Sequence, residues 1–546
     1  MTQATPQTTA RNRKWTTIVA SVAAMVMTLD ITVVNIGLPQ IGSDLNAGLG
    51  GLQWVVNGYT LSFAALLLTA GALSDRLGRR RVFLVGAVVF TLASAACAVA
   101  WTSEVLIAAR VVQGGGAAMM MGTALALIAG AYEGAEAGGR ERAVAIFAAA
   151  GAFAATSGPI IGGLLIDSVS WRMMFAINIP ICAFILYGAL RWIDEAVPDN
   201  NRAIDFVGAT LAVLFLFLLN YGLVTGASEG WERPEVLIAL GGGILALAAF
   251  VVAESRLGDR AMVPLRLFRI PSFTGAMLLS FAARMVSFGL FPFLIIWLSA
   301  SLGFSPTKVG LVLTVLAVAL MVGAPLGITL AKRLPMATVL TIGMVLTGIG
   351  MFTAVPVDAQ DNWTALLPML LLSGLGGGLI LPHLLDIAVS VVPANQAGTA
   401  SGAVNSFFPL GTSASVAVYG ALFTGAIGAS LSDDALRAAG VPQGATDSVR
   451  ELTTAGQLDA AAGLAPQASA AIRDLAATGY TDGLSTLFLV SGIGALLCGV
   501  AGALLVRDRD TITSSQPGRT IATPILSQAG PASSTATPPA RSGGDR

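Results

Sequence analysis

Charge is scarce in this chain. Asp, Glu, Lys and Arg make up 11% of 546 residues, against about 25% in an ordinary soluble domain. That excludes a water-facing surface over most of the sequence. Acidic and basic residues balance at 30 each, which argues against a nucleic-acid partner. Histidine occurs once, as His383, and cysteine three times, as Cys97, Cys182 and Cys498. All three cysteines fall inside apolar runs, so they read as small buried hydrophobes, not as disulfides or metal ligands. There is no zinc-ligand spacing, no phosphate-cradling glycine loop and no nucleophile constellation. An ATP-driven pump is disfavoured unless another chain carries the ATPase.

What is present is apolar length. Residues of the apolar class form 55% of the chain. They fall into fourteen runs of about 20 residues, the length a bilayer demands of a helix. The runs are 17–39, 53–73, 82–101, 104–131, 143–166, 173–193, 204–225, 235–254, 273–298, 307–330, 336–356, 364–391, 398–425 and 483–506. Barrel strands would need only about 10 residues of weak alternation, so the expected class is all-α integral membrane protein. Arg11, Arg13 and Lys14 precede a first run too long for a signal-peptide core, which reads as the first spanning helix. With both termini inside, 22 of the 30 Lys and Arg residues lie on inner segments. That bias supports a cytoplasmic-membrane orientation with an even helix count.

The expected organisation follows. Residues 1–16 form an inner N-terminus, 17–193 a six-helix bundle, 204–254 two inserted helices and 273–506 a second six-helix bundle. Residues 427–481 form an outer segment without catalytic features, with room for short helices; it reads as a passive linker, with docking of a partner as the alternative. The Ser, Thr, Pro and Gly-rich tail 507–546 reads as disordered. Pro325 to Arg333 follows a span much as Gly71 to Arg81 does, without the acid, which suggests a faint internal repeat.

Five motifs carry chemistry. Gly71-Ala-Leu-Ser-Asp75-Arg76-Leu-Gly78-Arg79-Arg80-Arg81 is a tight basic turn between two spans, with glycines that allow close backbone approach. Asp30, in Leu29-Asp30-Ile-Thr32-Val-Val-Asn35, falls near the middle of the first span. A carboxylate there must face the bundle interior and either pair or take up a proton, so it is a proton carrier or a structural partner. Arg110, in Arg110-Val-Val-Gln113-Gly114-Gly115-Gly116, is a permanent cation in the fourth span, paired to a neighbouring helix or snorkelling beside Glu104. Ser157-Gly158-Pro159-Ile-Ile-Gly162-Gly163 kinks the fifth span and gives it a small-residue face that suits rocking. Trp171-Arg172 and Asn178-Ile-Pro180 read as a pinned, structural loop.

Three further residues stand alone. His383 and Asp386 are three apart in the twelfth span, either a proton relay or a satisfied polar pair. Arg284, mid-span in the ninth, is a candidate counter-ion of Asp386 or Asp30. Tyr59, Phe63, Phe153, Phe288, Phe291, Trp297, Phe407 and Phe408 could line a greasy cavity or face lipid and neighbouring helices.

These motifs carry a resemblance. The 71–81 turn resembles the loop between helices two and three of major facilitator superfamily transporters. The run Leu29-Asp30-x-Thr32-Val-Val-Asn35-x-x-Leu38-Pro39 resembles the first-helix motif of its fourteen-helix drug:proton antiporter-2 branch. The Arg110 motif resembles the fourth-helix motif whose arginine is implied in proton coupling. The 157–163 motif resembles the fifth-helix motif of exporters, with Ala154 where many members have glycine. The resemblance implies two six-helix bundles plus two inserted helices, alternating access, and exchange of an outgoing lipophilic, often cationic compound for protons. It implies coupling through Asp30 and Arg110 and a latch at Asp75 and the nearby arginines; read from the residues alone, Asp386 and His383 join the proton-coupling candidates, and Asn35, Tyr59, Phe153, Arg284 and Phe288 are the cavity candidates. The proton gradient would be the only energy source, with no cofactor and no metal. Expected partners are a small lipophilic substrate, protons and the bilayer; no accessory export partner is indicated. Three alternatives stay open: a dedicated exporter of an endogenous antibiotic, lipid or siderophore; uptake, which Gly158-Pro159 disfavours; and a membrane-embedded enzyme, for which no reactive constellation is visible.

Overall fold

A computed structural model describes residues 9–132, 139–195, 205–258, 261, 265–358, 361–392, 397–507 and 510. The tail beyond residue 510, expected to be disordered, lies outside the described residues. The long elements, all helices, are α1 (Ala10–Leu45), α2 (Leu49–Leu77), α3 (Arg79–Ala98), α4 (Ser103–Ala131), α5 (Gly139–Ser168), α6 and α7 (Met173–Ala176, Asn178–Trp192), α8 (Phe206–Glu229) and α9 (Pro234–Leu257). There follow α10 and α11 (Pro271–Phe288, Phe291–Ala300), α12 (Pro306–Ala331), α13 (Met336–Ala354), α14 (Leu367–Ser390) and α15 (Ala397–Ser430). Three short helices, α16 (Asp433–Ala438), α17 (Thr446–Thr454) and α18 (Leu458–Leu464), precede α19 (Ser469–Leu505).

Among the described residues, thirteen helical segments are long and apolar enough to cross a membrane. They coincide with thirteen of the fourteen apolar runs, and α2, at 29 residues, covers the remaining one. Large apolar side chains such as Leu92, Ile238, Leu245, Leu497 and Leu504 are exposed. That is destabilising in water and favourable against lipid. Small residues let the helices approach: Gly116 of α4 lies against Gly86 and Phe90 of α3, where an added Cβ would meet backbone.

Two spans differ from the simple reading. The ninth run is broken into α10 and α11 because Pro292 has no N–H to give the Phe288 carbonyl one turn back. The segment 427–481 is not a passive linker. α15 runs on to Ser430, α19 starts at Ser469, and the short helices between them pack onto the protein. Gln457 Nε2 donates to the Gly42 and Ala47 carbonyls at 2.7 and 3.1 Å and so caps α1, which ends at Asn46 in the left-handed region (φ 50°). Trp297 Nε1 reaches Thr481 Oγ1 at 3.3 Å, and Tyr480 donates to the Thr453 carbonyl.

Helix ends sort into two sets. One end carries Arg79, Arg80, Lys332 and Arg333 and is called the basic end. The other carries Asp44, Asp167, Arg172 and Thr307. The helices of the first half meet those of the second toward that opposite end. Gly163 of α5 lies against the backbone of Pro306 and Thr307, and Gly310 of α12 lies against Pro159. Asp167 accepts from Thr307 N at 3.0 Å, and Gln53 Nε2 of α2 donates to the Val416 carbonyl of α15 at 3.0 Å. The inserted pair joins here too: Asn57 of α2, Asn220 of α8 and Ser413 of α15 form a buried ring of hydrogen bonds at 3.0–3.1 Å.

A Cβ at Gly163 would sit 2.5 Å from Thr307 Cα, so no side chain fits without parting α5 and α12. Gly163→Val should therefore open this seam. A cysteine placed at Val309, buried here, should become reactive to a water-soluble maleimide. Unchanged protection would show that the seam does not depend on the close approach.

Candidate functional site

Asp30 sits a little past the middle of α1 and is 1% exposed. An ionised carboxylate can only accept hydrogen bonds, and this one is met entirely by donors. Arg110 of α4, also 1% exposed, makes a short charge-assisted contact to Oδ2. Gln113 Nε2 and Asn178 Nδ2 donate to Oδ1 at 2.9 and 3.0 Å. Gln113 also donates to Ser94 Oγ of α3 at 2.8 Å and accepts from Arg110 at 2.7 Å and from Cys97 Sγ at 3.8 Å. Arg110 Nε donates to the Val55 carbonyl at 3.0 Å, and its guanidinium lies over the Tyr59 ring at 4.3 Å and near Phe175 at 5.7 Å. Five helices thus meet in one dry polar knot. The sequence showed Asp30 and Arg110 without joining them. Asn178, read from sequence as part of a structural loop, is a direct partner of Asp30. Ser94 gave no signal: a serine in an apolar run has no period that marks it.

The knot faces away from the cavity between the two halves. On a 100° helix, Thr32 and Asn35 point about 200° and 140° away from Asp30. These two residues, with Thr156, Pro159, Phe288, Phe291, Leu313 and Leu316, line a small cavity of about 30 Å³. α1 is therefore a wall, with the charged pair behind it and the cavity before it. Of the expected cavity residues, Asn35 and Phe288 line this space. Tyr59 is buried over Arg110, and Phe153 is 61% exposed on α5.

The 157–163 motif binds α5 on two sides. Gly158 lies against Thr32, and Gly162 against Val33, both of α1, while Gly163 meets α12 of the other half. The 71–81 turn works at the basic end. Gly78 joins α2 to α3 with φ +102°, a conformation that a side chain would strain. Arg80 donates to the Ala189 and Leu190 carbonyls at 3.0 and 2.6 Å and so caps α7. Its backbone N–H donates to Glu195 Oε1 at 3.1 Å. Arg79 reaches the Ala126 carbonyl at 3.2 Å. Gly71 faces α4 near Gly122, and Arg76 is exposed. The Asp75 side chain lies outside the described residues. Glu195, the acid that this turn holds, was missed because it lies 115 residues away.

The structure does not join the remaining candidates. His383 is buried beside Gly327 of α12, and neither ring nitrogen has a partner. Asp386, three residues on, is exposed, and no hydrogen bond links the two among the described residues. Arg284 pairs with neither Asp386 nor Asp30. Its guanidinium rests on Phe288 and Phe408 at 4.3 and 5.2 Å.

The Major Facilitator Superfamily model matches residues 20–416. The chain is 34% identical, over 81% of its length and 77% of the relative's, to a probable actinorhodin transporter of Streptomyces coelicolor. It is 32% identical, over 92% and 93%, to the tetracenomycin C resistance and export protein of Streptomyces glaucescens. It is 31% identical, over 77% and 78%, to the multidrug resistance protein Stp of Mycobacterium tuberculosis. Among solved structures, a bacterial homologue of the human lysosomal transporter Spinster superposes with TM-score 0.62 at 15% identity, covering 93% of this chain and all of that one, which shows the fold.

Removing one partner of a buried pair strands the other charge, at a cost of about 3–5 kcal/mol. Arg110→Ala should therefore lower the thermal unfolding midpoint of the purified protein sharply. Asp30→Asn combined with Arg110→Gln should recover part of that loss. Strictly additive losses would show that the two side chains do not act as a pair.

Proposed function

Because this chain belongs to the major facilitator superfamily, we propose that it exports lipophilic small molecules of the antibiotic and drug class from the cell in exchange for protons. The membrane is the cytoplasmic membrane, with the basic end and both termini inside. The observation that carries this reading is the placement of Asp30. It is a buried, fully paired carboxylate on the back of the helix whose front lines the cavity.

The chemistry follows from donor counting. In the ionised state, Arg110, Gln113 and Asn178 all donate to Asp30. A proton on the carboxyl turns one oxygen into a donor that faces donors, so the knot has to rearrange. Asn178 offers the acceptor: its Oδ1 is buried without a partner, and an amide flip puts it where Nδ2 now stands, 3.0 Å from Asp30. Arg110 loses its anion but keeps the Val55 carbonyl, Gln113 Oε1 and the Tyr59 face. α1 is then free to shift against α4. Gly158 and Gly162 carry the shift to α5, and Gly163 carries it to the seam with α12. Proton and substrate therefore act on opposite faces of α1 and compete through its position, not for one site. The turn at Gly78 and Arg80 holds the basic ends of α2, α3 and α7 together while this happens.

A second reading is the dedicated export of one endogenous compound. It is supported by relatives whose names join a single compound to export, such as tetracenomycin C and cephamycin. A panel of unrelated compounds separates the two: one transported member favours dedication and several favour multidrug efflux.

Proteoliposomes with an imposed pH gradient test the main reading. Wild type should accumulate substrate against its gradient. Asp30→Asn should still bind it but lose the gradient-driven accumulation by at least tenfold. Uphill transport equal to wild type would remove Asp30 from the coupling path.

A further inference from the structure

The resemblance implies substrates that are often cationic. The charge that stands beside this cavity is itself positive. Asp30 is sealed behind α1, and both its oxygens are occupied. Asp386 is exposed, but it lies eight residues beyond Gly378, which packs on Leu320 at the edge of the cavity. That places it about 12 Å further toward the basic end. Neither carboxylate meets a ligand in the cavity.

Arg284 does stand close to it. It lies one helical turn before Phe288 on α10, on the same face, and its guanidinium rests on the Phe288 ring at 4.3 Å. Phe288 lines the cavity. Phe408 of α15 flanks the guanidinium on another side at 5.2 Å. The Nε is buried with no hydrogen-bond partner, and the side chain as a whole stays partly accessible. Among the described residues it makes no ion pair and no hydrogen bond. Aromatic faces offset only part of the desolvation of an arginine. The other arginine inside a spanning helix, Arg110, has its carboxylate. The contrast points to a ligand that brings the missing anion.

The rest of the cavity describes the remainder of that ligand. Phe288, Phe291, Leu313 and Leu316 offer an apolar and aromatic wall. Thr32 and Thr156 spend their hydroxyls on their own helices. Asn35 donates its Nδ2 to the Ile31 carbonyl at 3.0 Å, while its Oδ1 is buried and unpaired, an acceptor awaiting a donor.

We infer that Arg284 is the specificity-determining residue of this cavity, and that the exported substrates are amphipathic aromatic acids: an aromatic body against Phe288 and Phe291, a hydroxyl donating to Asn35 and a carboxylate or other acidic group paired with Arg284. This rests on the efflux reading and supplies its substrate class.

Fluorescein and rhodamine 123 test it, because they share a xanthene ring system and carry opposite charge. Binding to the purified wild-type protein is read by fluorescence anisotropy. Fluorescein should bind at least tenfold more tightly than rhodamine 123. Arg284→Gln should weaken fluorescein by about tenfold to a hundredfold, the range of a hydrogen bond to a charged group, and leave rhodamine 123 unchanged or tighter. Arg284→Lys should restore part of the fluorescein binding. Unfolding midpoints of both variants within a few degrees of wild type show that the fold is intact. Preference for rhodamine 123, or a fluorescein affinity untouched by Arg284→Gln, overturns the assignment of an anion while leaving efflux standing. If wild type binds neither dye and transports no member of the compound panel, both the assignment and the efflux reading fail.

Discussion

The contact between Asp30 and Arg110 is the constraint on which the rest of the structure turns. Two full charges in a buried helical core are tolerable because each is the other's partner and both carboxylate oxygens accept from further donors. Asp30 fixes the rotation of α1, Arg110 fixes α4, and Gln113, Asn178 and Ser94 bring in α7 and α3. With Asp30 charged, every contact it makes is with a donor; a protonated carboxyl would put a donor among donors, and it is on this mismatch that the proposed proton coupling rests.

The second structural idea is that one helix has two jobs on two faces. Behind α1 lies the charged pair; before it lies the cavity with Thr32 and Asn35. α5 extends the same logic, with Gly158 and Gly162 on α1 and Gly163 on α12. In the proposed cycle, movement at the pair would reach the seam between the halves through these close backbone contacts. The inserted helices also belong to this seam, because Asn220 closes a ring with Asn57 and Ser413. The capping of α1 by Gln457 ties the segment after α15 to the same helix.

Much of the fold was legible because bilayer thickness writes itself into run length. The fourteen apolar runs needed no partner to be recognised, and Asp30 and Arg110 stood out because charge is costly in hydrocarbon. What they touch was not legible. Asn178, Ser94 and Glu195 act through contacts with residues 19 to 148 positions away, and no local pattern encodes such distances. His383 and Asp386 show the converse. Spacing of three put them on one helix face, but burial against Gly327 takes the ring one way while the carboxylate stays exposed. Phe153 and Tyr59 had the right chemistry for a cavity wall, and the packing put one outside and the other over Arg110.

The central claim is that the charge on Asp30 sets which ends of the two halves lie together. Spin labels at Leu77 and Ile328, both exposed and on different halves near the basic end, allow the separation to be measured by pulsed electron resonance between pH 5 and 9. Wild type should show two distance populations whose ratio changes with pH, and Asp30→Asn should hold the acid-side ratio throughout. A pH response in Asp30→Asn that matches wild type would contradict the account.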